Sequence, residues 1–113
     1  MAVAAWAKRC GYALPAHWYR ARAWLTWGEP LVAPALGCVV VFVRGAGGHV
    51  GIVAGVDRLG RLMVIGGNQG NAVTLAPFDP HRALGYRSPP GVPLLTQPLP
   101  VLQASGPVSR NEA

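Results

Sequence analysis

Apolar positions fall into two regimes along this chain. Up to residue 27 they recur at helical spacing, and from residue 38 to 87 they come in short β-branched runs separated by glycine-rich turns. Residues 2–10 (Ala-Val-Ala-Ala-Trp-Ala-Lys-Arg-Cys) are alanine-rich and predict a helix that stops at Gly11, a residue suited to a left-handed terminator. Val3, Trp6 and Cys10 share one face of that helix and are expected to form a buried stripe. No capping side chain precedes it, so it reads as the remainder of a longer helix. A loop rich in rings spans Pro15 to Arg20. A second short helix is expected from Ala21 to Trp27, closed by Gly28, with Trp24 and Trp27 on one core-facing side. Pro30 and Pro34 predict a turn.

The strand regime opens with Cys38-Val-Val-Val-Phe-Val43, a buried-strand pattern. A flexible connection, Gly45-Ala-Gly-Gly48, leads into a second strand, His49 to Ala54. The turn Asp57-Arg-Leu-Gly60 then precedes a third, Arg61 to Ile65. Residues 66–70 turn the chain into a fourth strand at Asn71–Leu75, and Leu84–Arg87 makes a last short one. Helices followed by a strand meander predict an α+β fold in which short N-terminal helices pack on an antiparallel sheet.

Composition refines this picture. The chain has 113 residues, enough for one small domain. At 51% hydrophobic and 12% charged it is too apolar to be disordered throughout, yet no apolar run reaches the ~18 residues of a membrane-spanning helix. Six of the eleven prolines lie between Pro89 and Pro107. The expected division is therefore a domain over residues 1–87 and a Pro-rich flexible tail over 88–113 that adds little burial. The net charge of +6 favours an anionic partner, but the arginines are scattered and no nucleic-acid-binding motif is present. Lys8-Arg9 follow the first apolar stretch rather than precede it, so no export signal is read. A monomer is expected.

Candidate chemistry is sparse. Neither glycine-rich segment continues as a phosphate loop, so both read as turns. Cys10 and Cys38 lack metal-ligand spacing, no cofactor is implied, and the pair permits one disulfide. Both read as small core residues. His49 opens a strand directly after a glycine-rich turn, where an imidazole can project over a cleft at the sheet's end. Asn68 follows the antiparallel third strand and can approach His49, fixing its ring tautomer as the amide does in a Cys–His–Asn arrangement.

The stretches Ala21–Gly28, Pro34–Phe42, Gly48-His-Val-Gly51, Gly66-Gly-Asn-Gln-Gly-Asn-Ala-Val73 and Leu84-Gly-Tyr-Arg87, in this order, resemble the NlpC/P60- and CHAP-like cysteine peptidases that cut peptidoglycan. The resemblance covers residues 1–87. It implies a papain-like core and a Cys-His amidase or endopeptidase acting on cell-wall peptides, with peptidoglycan or another anionic wall polymer as partner. His49 would be the general base and Asn68 the orienting residue, with Asn71 the second choice; both should face the N-terminus of the first helix. The family's nucleophile sits at that N-terminus, where the helix dipole favours a thiolate, a position that falls about two residues ahead of Met1. Cys10 is at the wrong end of the helix, and Cys38 is about five residues, or ~17 Å, from His49 across the hairpin. The chain therefore carries the base half of a hydrolase without its thiol. A non-catalytic wall-binding protein and a basic nucleic-acid-binding module are the alternatives.

Overall fold

The computed structural model describes residues 2–67, 73–94 and 98–103. Helix α1 (Ala2–Arg9) is followed by a 3-10 helix (Ala21–Thr26). Six strands come next: β1 (Glu29–Leu31), β2 (Val39–Arg44), β3 (Gly47–Val56), β4 (Leu62–Gly67), β5 (Val73–Phe78) and β6 (Ala83–Ser88), with a 3-10 turn (Pro80–Arg82) between the last two. The strands form one sheet in the order β1-β6-β2-β3-β4-β5, and every pairing is antiparallel. The α+β expectation with an antiparallel sheet therefore holds.

Helix α1 ends as its sequence predicts. Gly11 takes φ +86°, the Gly11 N–H donates to Lys8 at 3.0 Å, and the Tyr12 N–H donates to Ala7 at 2.9 Å. This pair of bonds is the Schellman closure, which satisfies carbonyls the helix would leave bare. The same closure corrects the expected stripe. Val3, Ala4 and Ala7 are buried, but Cys10 occupies the cap itself, past the last packed turn, and is exposed. The second helix is 3-10 rather than α and stops at Thr26.

Two apolar layers sandwich the sheet. Val3, Ala4, Ala7, Trp24 and Trp27 pack on one face against Val39, Val41 and Val50. Both indoles are core, as expected, and each buried N–H finds a carbonyl: Trp24 on Trp18 at 3.0 Å, Trp27 on Ala13 at 2.8 Å. The opposite face carries Ala35, Cys38, Val40, Phe42, Val53, Leu62 and Val64. The segregation follows from the two-residue period of a strand.

Three features depart from the sequence reading. The Pro30 region is not only a turn, because Glu29–Leu31 pair with Tyr86–Ser88 as an edge strand, a place that tolerates proline. Strand β6 does not extend the meander; it returns to lie between β1 and β2. The segment after Ser88 is not a free tail within the described residues. Val56 donates to the Pro100 carbonyl at 2.9 Å and accepts from the Leu102 N–H at 2.7 Å, while Leu94 and Leu99 pack on the second apolar layer. Gly55 makes this docking fit, since a Cβ there would collide with the Pro100 carbonyl and approach Leu102 at 3.0 Å.

The sheet is strongly coiled. Strand β5 is three positions from β2, or ~14 Å across a flat sheet. Yet the rings of Phe78 and Phe42 stack with centroids 4.7 Å apart. The end of β5 thus folds back over the β2–β3 hairpin, and the Pro80–Arg82 turn carries the chain across to β6. That crossover closes one side of the candidate site.

Candidate active site

The β2–β3 hairpin turns on only two residues, Gly45 and Ala46, with Arg44 opposite Gly47. Gly45 has φ +54°, as the first central position of a tight hairpin turn requires. Gly47 and Gly48 therefore belong to β3 rather than to a loop, and His49 sits directly across from Phe42. The glycines on either side of His49 each serve a contact. A Cβ on Gly48 would come within 2.9 Å of the Phe42 carbonyl and 3.3 Å of Ala21, so its absence lets the 3-10 helix lie on β3. A Cβ on Gly51 would strike Val64 and come within 2.8 Å of the Ile65 carbonyl, so its absence lets β4 approach. The Gly-His-Val-Gly spacing is thus the pattern of a histidine strand pressed on both faces.

The His49 ring is half-buried and stacks on Phe78, centroids 5.0 Å apart and planes 11° from parallel. Phe78 in turn stacks on Phe42, so one phenyl ring braces both members of the cross-strand pair. The imidazole also lies close to Gly66: a Cβ there would be 3.2 Å from Nε2, tighter than ordinary contact. Phe78 and Gly66 are the positioning residues that sequence reasoning missed. Phe78 falls beyond the expected end of the fourth strand, at Leu75, and its partner is remote in sequence. Gly66 reads in the sequence only as part of a turn.

His49 stands where two pockets adjoin. One, about 430 Å³, is lined by Arg44, His49, Val64, Gly66, Thr74 and Phe78, among others. The second, about 260 Å³, is lined by Arg44, His49, Pro77, Phe78, Asp79 and Arg82 among its residues. Burial, and then the positive charge of Arg44, hold the imidazole below its ordinary pKa. It is accordingly neutral at pH 7, the form that accepts a proton.

The ring does not face the first helix as expected. Strand alternation sends Val50 and Ile52 toward the α1 layer and His49 toward Phe42 and Phe78, on the opposite face. Asn68 and Asn71, the two candidates for orienting the ring, lie outside the described residues.

Neither cysteine lines the His49 pockets. Cys10 is exposed just past the carboxyl end of α1, the helix that packs on the face opposite His49. Cys38 is fully buried, with burial pushing its thiol pKa up, and its sulfur accepts the Ala35 N–H at 3.4 Å. It shares a face with His49 but pairs near Val53, four positions down β2 from Phe42, or ~14 Å. Both thiols are free, and the disulfide that the count permits does not form. Among the described residues no cluster of three or more His, Cys, Asp or Glu converges as a metal site would, and no helix is long and apolar enough to cross a membrane.

Comparison with known proteins gives one match. The family model of the CHAP domain aligns with residues 1–68, a span that holds α1, the 3-10 helix, the β2–β3 hairpin with His49, and β4. No curated protein and no solved structure matches the chain.

Proposed function

The chain belongs to the CHAP-domain family, and from that premise we propose that it is a peptidoglycan hydrolase of the cysteine amidase or endopeptidase type, with His49 as general base. The observation that carries the reading is the position of His49. It is a neutral, half-buried imidazole, braced by Phe78 and open to two pockets, within the span that matches the family. Such a ring accepts a proton from a thiol, and the thiolate attacks the carbonyl of a wall-peptide amide. The resulting imidazolium returns its proton to the leaving amine. Water, deprotonated by the same ring, then releases the thioester as a carboxylate.

The thiol in this reading comes from sequence ahead of residue 1, because Cys10 and Cys38 are both misplaced. Asn68 is the orienting amide in this reading. Since α1 and the imidazole occupy opposite faces, the thiol has to reach His49 around the end of the β2–β3 hairpin. Residues 1–113 are then the base-bearing part of the enzyme and do not cleave by themselves.

The test compares this chain with a form extended by its upstream codons, on purified peptidoglycan, following release of new amino groups. Cleavage is expected from the extended form alone, and the extension should encode a cysteine. A stop codon directly upstream would leave a wall-binding protein without catalysis. Cleavage by the 113-residue chain that survives Cys10→Ser with Cys38→Ser would refute cysteine chemistry altogether.

A further inference from the structure

Two arginines reach the His49 pockets from different elements. Arg44, at the end of β2, lines both pockets, and Arg82, in the 3-10 turn of the crossover, lines the smaller. Both are exposed. Arg82 donates to the Val43 carbonyl at 3.3 Å, which ties its guanidinium to the end of β2 beside Arg44. Among the described residues, neither arginine lies within ion-pair distance of a carboxylate; the carboxylate contacts present are the Arg61–Asp57 ion pair and the His81–Asp79 hydrogen bond. The one carboxylate lining either pocket is Asp79, and its Oδ1 is already engaged by the His81 N–H at 2.9 Å and the His81 Nδ1 at 3.0 Å. A concave site next to a neutral imidazole therefore holds two arginines against one carboxylate. Since Asp79 feels the charge of Arg82, Arg44 is the arginine left without a carboxylate partner among the described residues.

We propose that Arg44 and Arg82 form a carboxylate-binding subsite that seats a free carboxylate of the wall peptide beside His49. The inference rests on the function proposed above for the same site. A guanidinium presents parallel N–H donors that match a carboxylate, and two of them converging on one pocket select an acid over its amide. Wall peptides carry such carboxylates along the stem and at its end, so the subsite sets which amide bond lies over His49. It also couples binding to the base. An anion that neutralises Arg44 removes one of the two causes that hold the imidazole pKa down, and a bound acid should raise it. The charged groups facing His49 are Arg44 from β2 and, from the crossover, Asp79 and Arg82.

The experiment titrates the 113-residue chain, carrying isotope-labelled histidine, with the peptide L-Ala-γ-D-Glu-L-Lys-D-Ala and with its fully amidated analogue, reading the His49 ring resonances by NMR. The acid is expected to shift those resonances saturably and to raise the His49 pKa, with the amide binding at least about fivefold more weakly. Arg44→Gln and Arg82→Gln should each weaken the acid by about fivefold and leave the amide unchanged. The indole N–H signals of Trp24 and Trp27 report whether each variant is folded, and Arg44→Gln decides the matter if Arg82→Gln is not. Equal affinity for acid and amide, or an acid affinity indifferent to both substitutions, overturns the subsite. Acid-selective binding without cleavage by the extended form would uphold the subsite and remove the hydrolase reading. Cleavage of amidated and free-acid wall peptides at equal rates would remove the subsite alone.

Discussion

On the α1 side of the sheet, bulky groups are enclosed and their polar atoms satisfied. Trp24 and Trp27 meet edge-on with centroids 5.0 Å apart, Tyr12 closes on Trp27 at 5.8 Å, and both tryptophan N–H groups reach backbone carbonyls. On the other side, packing is equally close around Cys38, Val40 and Val53, but the end bearing His49 opens into pockets rimmed by arginines. Each face has a hollow, but the one on the α1 side, between α1 and Leu14 with Trp18, is lined mostly by apolar side chains, while the one on the other face is lined by His49 and arginines. A domain this small has little burial to spare, so an opening of that kind points to a role other than stability.

Substitutions can break this contrast. Trp24→Ala should have the largest effect, about 3–5 kcal/mol of unfolding free energy, because it empties a fully buried site and strands the Trp18 carbonyl. Urea denaturation measures it, and a loss below about 1 kcal/mol would mean that the α1 face is not the stabilising one. Removing residues 98–113 should cost about 1–2 kcal/mol. It frees both backbone groups of Val56 and uncovers the surface beneath Leu99. An unchanged melting transition would show that the docked segment contributes nothing.

Gly66→Ala sharpens the comparison from the other face. A Cβ 3.2 Å from the His49 Nε2 is tighter than ordinary contact and makes the ring shift slightly, so the His49 resonances should move more than those of the tryptophans, at a stability cost of about 1 kcal/mol. Unmoved His49 signals would contradict the seating. The smallest effect is the pH dependence. Folding lowers the His49 pKa, so the unfolded chain takes up this proton first; the contribution is complete above about 6.5, the ordinary imidazole value, and is lost as pH falls from there toward the folded value. Asp79, held below the ordinary carboxyl range chiefly by the His81 N–H, titrates outside that window. His49→Asn should flatten the slope of stability against pH, and an unaltered slope would assign it to other groups.

Much of this was legible in the sequence, for local reasons. The runs Val39–Val43 and Val50–Val53 name their strands because β-branched side chains buried on both faces leave no other reading. The Gly11 stop and the core role of the two tryptophans follow from local geometry and ring size. What sequence reasoning missed was non-local. The pairing of β6 with β1 and β2, the docking of Pro100 and Leu102 on Val56, and the stacking of Phe78 on His49 join positions far apart along the chain, and no periodicity encodes them. Cys10 departs from its expected burial because the helix closes at that residue, and the helical spacing does not carry past a cap. His49 was identifiable as the candidate base, but its direction was not, since the side a strand residue faces depends on which layer packs where.

The reading stands on His49, and its most direct test is cleavage of purified peptidoglycan by the upstream-extended form with and without His49→Ala. Losing the base from a folded enzyme should lower the rate by about 10²–10⁴-fold, with the tryptophan N–H signals and the unfolding midpoint close to those of the parent. A folded His49→Ala variant that cleaves within a few-fold of the parent would contradict the assignment and place the base elsewhere.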